Sequence, residues 1–329
     1  MTDELLLDDG LDHAEIVIQA RQLLGTVCRA GGADCPLIGA EEARAVRERT
    51  LADPTLTIRL DSEAERLPHY TRLSDDSYAA RDPKSVLNRK RDLDVLQRLG
   101  LVPGSIRRAR YLYELLLRRI ETPWGICGWD TPGWEGCELA RSGAYERMRA
   151  EGWRAFVYDR PENERAQWRE RNEQAIATGE CIYMRPHHLM CLACGWAGGA
   201  NDRPRPNDTL WEILQRVRRD PGIPIVLVEG PCSACDCCDG FHPATGRCTH
   251  AGGLIRDYKK DLDCFQRLGL MPGDAMPARE LFELLFDTIR STVEICGYVN
   301  GEVTATEWTV CGGPEGNQGY LKTRERGIF

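Results

Sequence analysis

Residues 92–104 read DLDVLQRLGLVPG, and residues 261–273 read DLDCFQRLGLMPG, with ten of the thirteen positions identical. In each copy apolar residues recur every three or four positions, and a glycine follows the last of them. This spacing is typical of an amphipathic helix that ends at the glycine. The repeated segment therefore predicts a chain built from two related halves.

The correspondence continues after the repeated segment at a constant offset of 169 residues. Residues 126–128 and 295–297 both read Ile-Cys-Gly at this offset. A Trp-x2-Cys sequence follows in each half, five residues later in the second half relative to this register, and ends at Cys137 and at Cys311. We therefore expect one order of elements in both halves: helix, helix, strand, loop, helix, helix and a cysteine-bearing tail.

Few strands are expected. Short β-like runs occur at residues 56–60 and 223–228, and residues 106–120 have the pattern of a second amphipathic helix. The sequence thus predicts an α+β fold, mostly α. It would contain two tandem copies of a small helical domain, each with one or two short strands, and a cysteine-rich loop in the second copy.

The domain boundaries follow from this repeat. We expect a degenerate first repeat at residues 1–150, a bridging segment at 151–180 and a second repeat at 181–329 that carries the cysteine-rich site. The polar stretch at residues 162–177 is typical of a solvent-facing helix. The two repeats are expected to form an intramolecular pseudo-dimer, in which the first covers the second.

Composition excludes several classes of protein. The formal net charge is −8, so neither nucleic acid nor an anionic membrane is an expected partner. The acidic start does not match a secretory signal, and no apolar stretch reaches the ~20 residues that span a bilayer. We therefore expect a cytoplasmic protein, in which fifteen cysteines favour metal or redox chemistry over disulfides.

The densest cysteines lie in residues 230–238, which read GPCSACDCC and place four cysteines within seven residues. Thiolates at two-residue gaps can converge on one metal centre, because a tight turn directs both sulfurs the same way. The corresponding loop of the first half, residues 61–82, contains no cysteine. One intact site is therefore expected, in the second half.

The second half opens with YMRPHHLMCL at residues 183–192. This opening, followed by a Cys-x2-Cys, a Gly-x-Cys and an Ile-Cys-Gly tail, resembles the Arg-Pro-His-His-Leu-Leu-Cys family. That family comprises small bacterial and archaeal proteins of unknown function that are suspected iron–sulfur binders. The resemblance covers about residues 182–312, and more weakly about 12–150 through the repeat.

The resemblance implies a cofactor held by Cys191, Cys235, Cys238 and Cys248. The chain departs from the family pattern in its tail, where the second cysteine of Ile-Cys-Gly-x-Cys is missing, and at Asp239, which replaces a proline. A set of metal ligands different from the one that the family resemblance implies is therefore also open.

Spacing alone suggests another ligand set. Cys232, Cys235 and Cys238 are spaced like the first three ligands of a bacterial ferredoxin, with His242 or Cys248 as the fourth. A [4Fe–4S] cluster is favoured over zinc, because zinc sites usually have two Cys-x2-Cys arms and this chain has one dense arm with scattered single cysteines.

Two histidines precede Cys191. His187 and His188 follow a proline suited to the first turn of a helix, and His188 shares a helical face with Cys191. Either ring is a candidate metal ligand, donor to a cluster sulfide or acid–base group, and the alternative is a capping or core histidine.

The paired tail cysteines, Cys127 with Cys137 and Cys296 with Cys311, leave two roles open. Because they occur in both halves, they fit either a structural role or a second small metal site.

Three functions remain open at this point. The first is an iron–sulfur protein with an electron-transfer or redox-accessory role, which would imply a redox partner protein. The second is a cluster- or zinc-dependent enzyme with an open coordination position and His187 or His188 as its acid–base group. The third is a zinc-stabilised interaction module.

Overall fold

The computed structural model describes residues 16–62, 83–199, 203–250, 253–297, 308 and 317–329. The chain forms two compact units, Met1–Asp159 and Arg160–Phe329. Helices dominate both units, which confirms the predicted α+β, mostly α fold. None of the helices within these described ranges is long and apolar enough to cross a membrane. Cys311 and most of the predicted loop at residues 61–82 lie outside the described residues.

A small mixed sheet organises the first unit. Strand β2 pairs parallel to β1 and antiparallel to β3, and helices α1 and α2 form the crossover that a parallel pair requires. The elements in chain order are β1 (Ile16–Gln19), α1 (Ala20–Ala30), α2 (Ala40–Ala52), β2 (Thr57–Asp61), α3 (Pro83–Leu99), β3 (Ser105–Arg108), α4 (Ala109–Arg119) and α5 (Ala144–Glu151).

The second unit contains a sheet of the same order and strand directions. Strand β5 pairs parallel to β4 and antiparallel to β8, and a separate two-stranded ribbon joins β6 and β7. The elements are α6 (Glu162–Thr178), β4 (Ile182–Met184), α7 (Pro186–Gly198), α8 (Leu210–Arg219), β5 (Pro224–Leu227), β6 (Phe241–His242), β7 (Arg247–Cys248), α9 (Gly253–Leu268), β8 (Ala275–Pro277), α10 (Ala278–Thr288), α11 (Val293–Cys296) and α12 (Gln318–Arg326).

A fully buried aspartate ties two helices together in the first unit. Asp92 lies on α3 and accepts hydrogen bonds from the backbone N–H of Arg21 at 2.9 Å and from its guanidinium at 2.5 Å. Arg21 is the second residue of α1, so the carboxylate binds where the helix leaves backbone N–H groups unpaired and its dipole is positive. The contact fixes the junction between β1 and α1.

Asp261 occupies the corresponding position in the second unit, on α9. It accepts a hydrogen bond from the backbone N–H of His187 at 3.2 Å and from Arg185 Nε at 2.7 Å. His187 is likewise the second residue of its helix, α7. Asp92 and Asp261 are the first residues of the two repeated segments. Each accepts a hydrogen bond from the second residue of a helix, and this shared role explains why both copies begin with aspartate.

The last helix of each unit is anchored in a similar way. The hydroxyl of Tyr145, on α5, donates to the carbonyl of Ile120 at 2.9 Å, and the hydroxyl of Tyr320, on α12, donates to the carbonyl of Ile289 at 2.7 Å. The two acceptors stand 169 residues apart. Shared contacts of this kind support the predicted repeat, although the duplication itself stays a prediction.

The sequence patterns missed several strands. Each three-stranded sheet exceeds the one or two strands expected per half, and the helix expected at residues 106–120 begins only at Ala109. Residues of β3 pair with β2 instead, for example Ile106 with Arg59. Strands of three or four residues are too short to show a period, so their pairing partners decide their conformation.

Replacement of Asp92 by alanine should strongly destabilise the first unit. It leaves the buried guanidinium of Arg21 without its carboxylate, so we expect the free energy of unfolding to fall by about 3–5 kcal/mol. Urea denaturation at neutral pH measures this loss.

Asp94→Ala is the matched control, because Asp94 forms a partly exposed pair with Lys90 on the same helix. We expect it to cost at most about 1 kcal/mol. Equal losses in the two variants would contradict the role assigned to Asp92.

Candidate metal centre

The cysteine-rich loop is wound by a series of tight turns. Backbone hydrogen bonds run from Cys235 N to Cys232 O at 2.7 Å, and from Cys238 N to Cys235 O at 2.8 Å. Side chains three residues apart lie nearly above one another in such a winding. This spacing brings Cys232 Sγ to 3.9 Å from Cys235 Sγ, whereas Cys238 Sγ lies beside His250.

One group of candidate ligands forms where this loop meets the start of α7. His188 Nδ1 lies 3.2 Å from Cys232 Sγ, and Cys232 Sγ lies 3.9 Å from Cys235 Sγ. One ligand atom from each residue lies within 4.8 Å of the others, which suits a single metal ion. Burial opposes ionisation of Cys232, yet its contacts with Cys235 and His188 hold the pKa of its thiol well below the usual value.

A second group lies at the other end of the loop. His250 Nε2 is 3.5 Å from Cys238 Sγ and 3.2 Å from Asp239 Oδ1. Hydrogen bonds that the ring donates to Asp239, Cys238 and Cys248 raise the pKa of His250 to about 12, so the ring is held as a cation beside these groups. This group is thus an ion-pair network in which two cysteines and a carboxylate surround one imidazole.

Gly240 allows the ring of His250 to approach. A Cβ built on this glycine would lie only 2.4 Å from His250 Cδ2. The ribbon of β6 and β7 reverses the chain so that Cys248 pairs with Phe241, and Thr249 N then donates to Gly240 O at 2.6 Å. The ribbon thus returns Cys248 and His250 to the loop that holds Cys238.

Both groups border one cavity of about 390 Å³. Its walls combine thiols and imidazoles with charged side chains, and they include Arg185, His188, Asp208, Cys235, Cys238, Asp239, Cys248, His250, Arg256 and Asp257. This space is far larger than a single ion needs.

Helix α6 and the residues before it hold the loop from outside. Arg160 is fully buried and donates from Nη1 to the carbonyls of Asp236 at 2.6 Å and Cys238 at 3.0 Å. Asn172 donates to the carbonyl of Ser233 at 2.5 Å. Residues of the predicted bridging segment, 151–180, therefore supply donors that fix the loop. Residues 160–180 of this segment belong to the second unit, and residues 151–159 belong to the first.

The two candidate histidines have different surroundings. His187 is buried and its Nδ1 lies 2.7 Å from Asp261. Burial and the neighbouring His188 lower the pKa of His187 to about 4, so the neutral ring donates to the carboxylate. His188 borders the cavity instead. Of the pair, His188 is thus the one placed to contact a cofactor or substrate.

The predicted ligands are distributed unevenly. Cys235, Cys238 and Cys248 share the cavity, and Cys232 contacts Cys235 behind it. Cys191, on α7, packs against the hydrophobic core and is not among the residues that line this cavity. Its assignment as a ligand stays a prediction. His242 is likewise not among these residues, and its Nδ1 lies 2.9 Å from Thr245 Oγ1 within a turn.

Sequence reasoning missed His250 and Asp239 as members of the site. The available signal was the position of His250, which stands two residues after the predicted ligand Cys248 in a Cys-x-His sequence. In the sequence, Asp239 stands out only as the residue that replaces the proline of the family pattern.

Comparison with known proteins adds no further assignment. No family model, curated protein or solved structure matches the chain. The resemblance to the Arg-Pro-His-His-Leu-Leu-Cys family stays a prediction, and the site is defined by the geometry of this chain alone.

Arg160→Met should loosen the cysteine-rich loop. The variant removes the Arg160 donor from the carbonyl of Asp236 and from that of Cys238, which keeps the N–H of Phe241. We therefore expect the second unit to lose about 1–3 kcal/mol of stability. Urea denaturation gives the stability, and metal content at a fixed metal concentration gives the effect on binding.

Arg171→Met, on the exposed side of α6, is the control and should change neither quantity measurably. If Arg160→Met behaved like this control, the loop would be held by other contacts.

Proposed function

We propose that the second unit binds a [4Fe–4S] cluster in the cavity bordered by Cys235, Cys238 and Cys248, with Cys232 as the fourth ligand. Support comes from the placement of the thiols, which are spread around one cavity rather than gathered at a single point. The two groups of three candidate ligands among the described residues each fall short of the four that a closed zinc site uses.

The charge of the surroundings fits such a cofactor. A cubane held by four thiolates is an anion, and it needs compensation where water is excluded. Arg185 is 5% exposed on the cavity wall, and His250 is held as a cation. Arg160, behind the loop, has a buried Nη2 that finds no hydrogen-bond partner among the residues that the structure describes.

A cluster in this position would supply one-electron chemistry. The chain's own residues would tune it, because hydrogen bonds to ligand sulfurs influence the reduction potential. Gly240 N donates to Cys238 Sγ at 3.3 Å, and His188 lies beside Cys232. The side chain of His250 is 38% exposed, so one edge of the site reaches solvent. This arrangement favours a role as an electron carrier or redox-accessory protein with a redox partner protein.

A second candidate function is that of a zinc-dependent enzyme. His188, Cys232 and Cys235 lie close enough to bind one ion, and their neighbour is a cavity with room for a substrate. Two thiolates, one imidazole and an open fourth position are typical of catalytic zinc, which acts as a Lewis acid. His250 and Asp257 border the same cavity and would contact a substrate bound there.

Analysis of iron, zinc and acid-labile sulfide in anaerobically purified protein separates the two functions. Iron and sulfide in equal amounts, with visible absorption, are expected. A colourless protein with zinc bound by these residues would overturn the cluster and leave the enzyme.

Cys235→Ser should lose most of the iron and sulfide, because Cys235 borders the cavity and contacts Cys232. Cys181→Ser, which changes a half-buried cysteine elsewhere in this unit, should retain both. Equal retention in the two variants would contradict the proposed ligand set.

The fourth ligand is tested by two further variants. Our set predicts that Cys232→Ser loses the cluster and Cys191→Ser keeps it. The reverse result would favour the family-based set, in which Cys191 is the ligand.

A further inference from the structure

A small cavity lies between α1 and α2 in the first unit, which the proposed cluster does not involve. Its volume is about 230 Å³. Pockets for drug-sized ligands typically measure about 300–1,000 Å³, so this cavity suits a smaller ligand. Three arginines and four residues with short side chains line it: Arg29, Arg44, Arg47, Thr26, Ala30, Ala40 and Ala43.

The spacing of these residues explains the shape of the cavity. The lining residues of α1 stand at positions 26, 29 and 30, and those of α2 stand at positions 40, 43, 44 and 47. Residues three or four apart share one face of a helix, so one face of each helix borders the cavity. Protein interiors are normally filled to high density. Here three alanines leave space between the helices, and arginines surround that space.

Backbone carbonyls hold two of the arginines in place. Arg29 Nε donates to the carbonyl of Ile38 at 2.6 Å, and Arg47 Nε donates to the carbonyl of Ala155 at 3.1 Å. A carbonyl is neutral, so these contacts orient each guanidinium without cancelling its charge. A guanidinium has five N–H donors, and one Nε–H contact leaves four of them for other acceptors.

Little negative charge opposes these cations. Arg29 Nη1 pairs with Asp34 at 2.9 Å, but the Asp34 side chain is 94% exposed. Arg44 Nε lies 3.9 Å from Glu48, and these two side chains are 70% and 69% exposed. Exposed pairs of this kind are weak. Neither carboxylate is among the described residues that line the cavity, so positive charge is concentrated there in a chain with a formal net charge of −8.

The charge of Arg47 also acts on the inner side of the cavity. Thr26 Oγ1 donates to the carbonyl of Leu23 at 2.7 Å and lies 2.9 Å from the hydroxyl of Tyr113, which is fully buried. Burial raises the pKa of Tyr113 to about 12, while the hydrogen bond with Thr26 and the positive charge of Arg47 oppose this rise. The cavity therefore has a cationic rim and a neutral hydroxyl at its inner wall.

We infer that this cavity binds the phosphate group of a small molecule, either inorganic phosphate or a phosphate monoester. Phosphate offers several oxygens to paired hydrogen bonds, and the planar fork of arginine matches this geometry. Three guanidiniums supply both the donors and the positive charge that a dianion requires. Because arginine keeps its proton in proteins, the site stays cationic wherever phosphate is ionised.

Calorimetric titration of the full chain at low ionic strength tests the inference, with inorganic phosphate and glycerol phosphate as separate probes. We expect one molecule to bind per chain. Arg47→Met should weaken binding by about 10-fold or more, because it removes a charged donor. Arg47 is exposed, so the variant should fold, and circular dichroism checks this.

Arg49→Met is the matched control. It removes the same charge from the exposed surface of α2 but lies outside the cavity lining, so it should bind phosphate like the parent chain. Ala40→Leu keeps every charge and places a larger side chain at the cavity wall. It should also weaken binding by about 10-fold, because it fills the space that phosphate would occupy.

Three results would overturn the inference. One is the absence of binding heat with both probes at millimolar concentration. Another is equal weakening in Arg47→Met and Arg49→Met, which indicates general attraction to arginines. The third is unchanged binding in both Arg47→Met and Ala40→Leu, which places phosphate elsewhere. Tighter binding of one probe supports the inference and identifies the ligand as free phosphate or as an organic monoester.

Discussion

A single buried carboxylate at the start of a helix determines the geometry of each unit. In the second unit Asp261 binds the backbone N–H of His187, the imidazole of the same residue and the guanidinium of Arg185. Three consecutive positions at the junction of β4 and α7 are thereby oriented, so that the next residue, His188, contacts Cys232. Without that fixed junction, His188 would not be held beside Cys232.

The same framework carries different chemistry in the first unit. Asp92 binds Arg21 where Asp261 binds His187, and the residue after Arg21 is Gln22, which caps α1 with its side chain. The thiols of the first unit lie instead at the far end of α1 and in the loop after α4. The same order of elements thus places cysteines around a cavity in the second unit, but near the end of α1 and in the loop after α4 in the first.

Sequence patterns identified the features that depend only on residues close together along the chain. The helix over residues 92–99 and its terminal glycine were predictable, because the period and the positive φ of Gly100 are local properties. So was the approach of Cys232 to Cys235, since their spacing matches a turn of the loop. Contacts between distant segments were not predictable. His250 reaches Cys238 only through a ribbon, and Arg91 reaches Cys127 across 36 positions. Nor did the polarity of α6 reveal that Asn172 is buried against Ser233.

The donors from Arg160 and Asn172 also affect where this protein can be divided. A fragment cut at residue 181, where the repeat pattern places the second copy, would begin with strand β4 and lack both side chains. Its cysteine-rich loop would retain every sulfur and lose the scaffold that shapes it. Recombinant expression of the C-terminal half by itself therefore has to start before Arg160, because a boundary drawn from sequence similarity alone would remove part of the binding pocket's support.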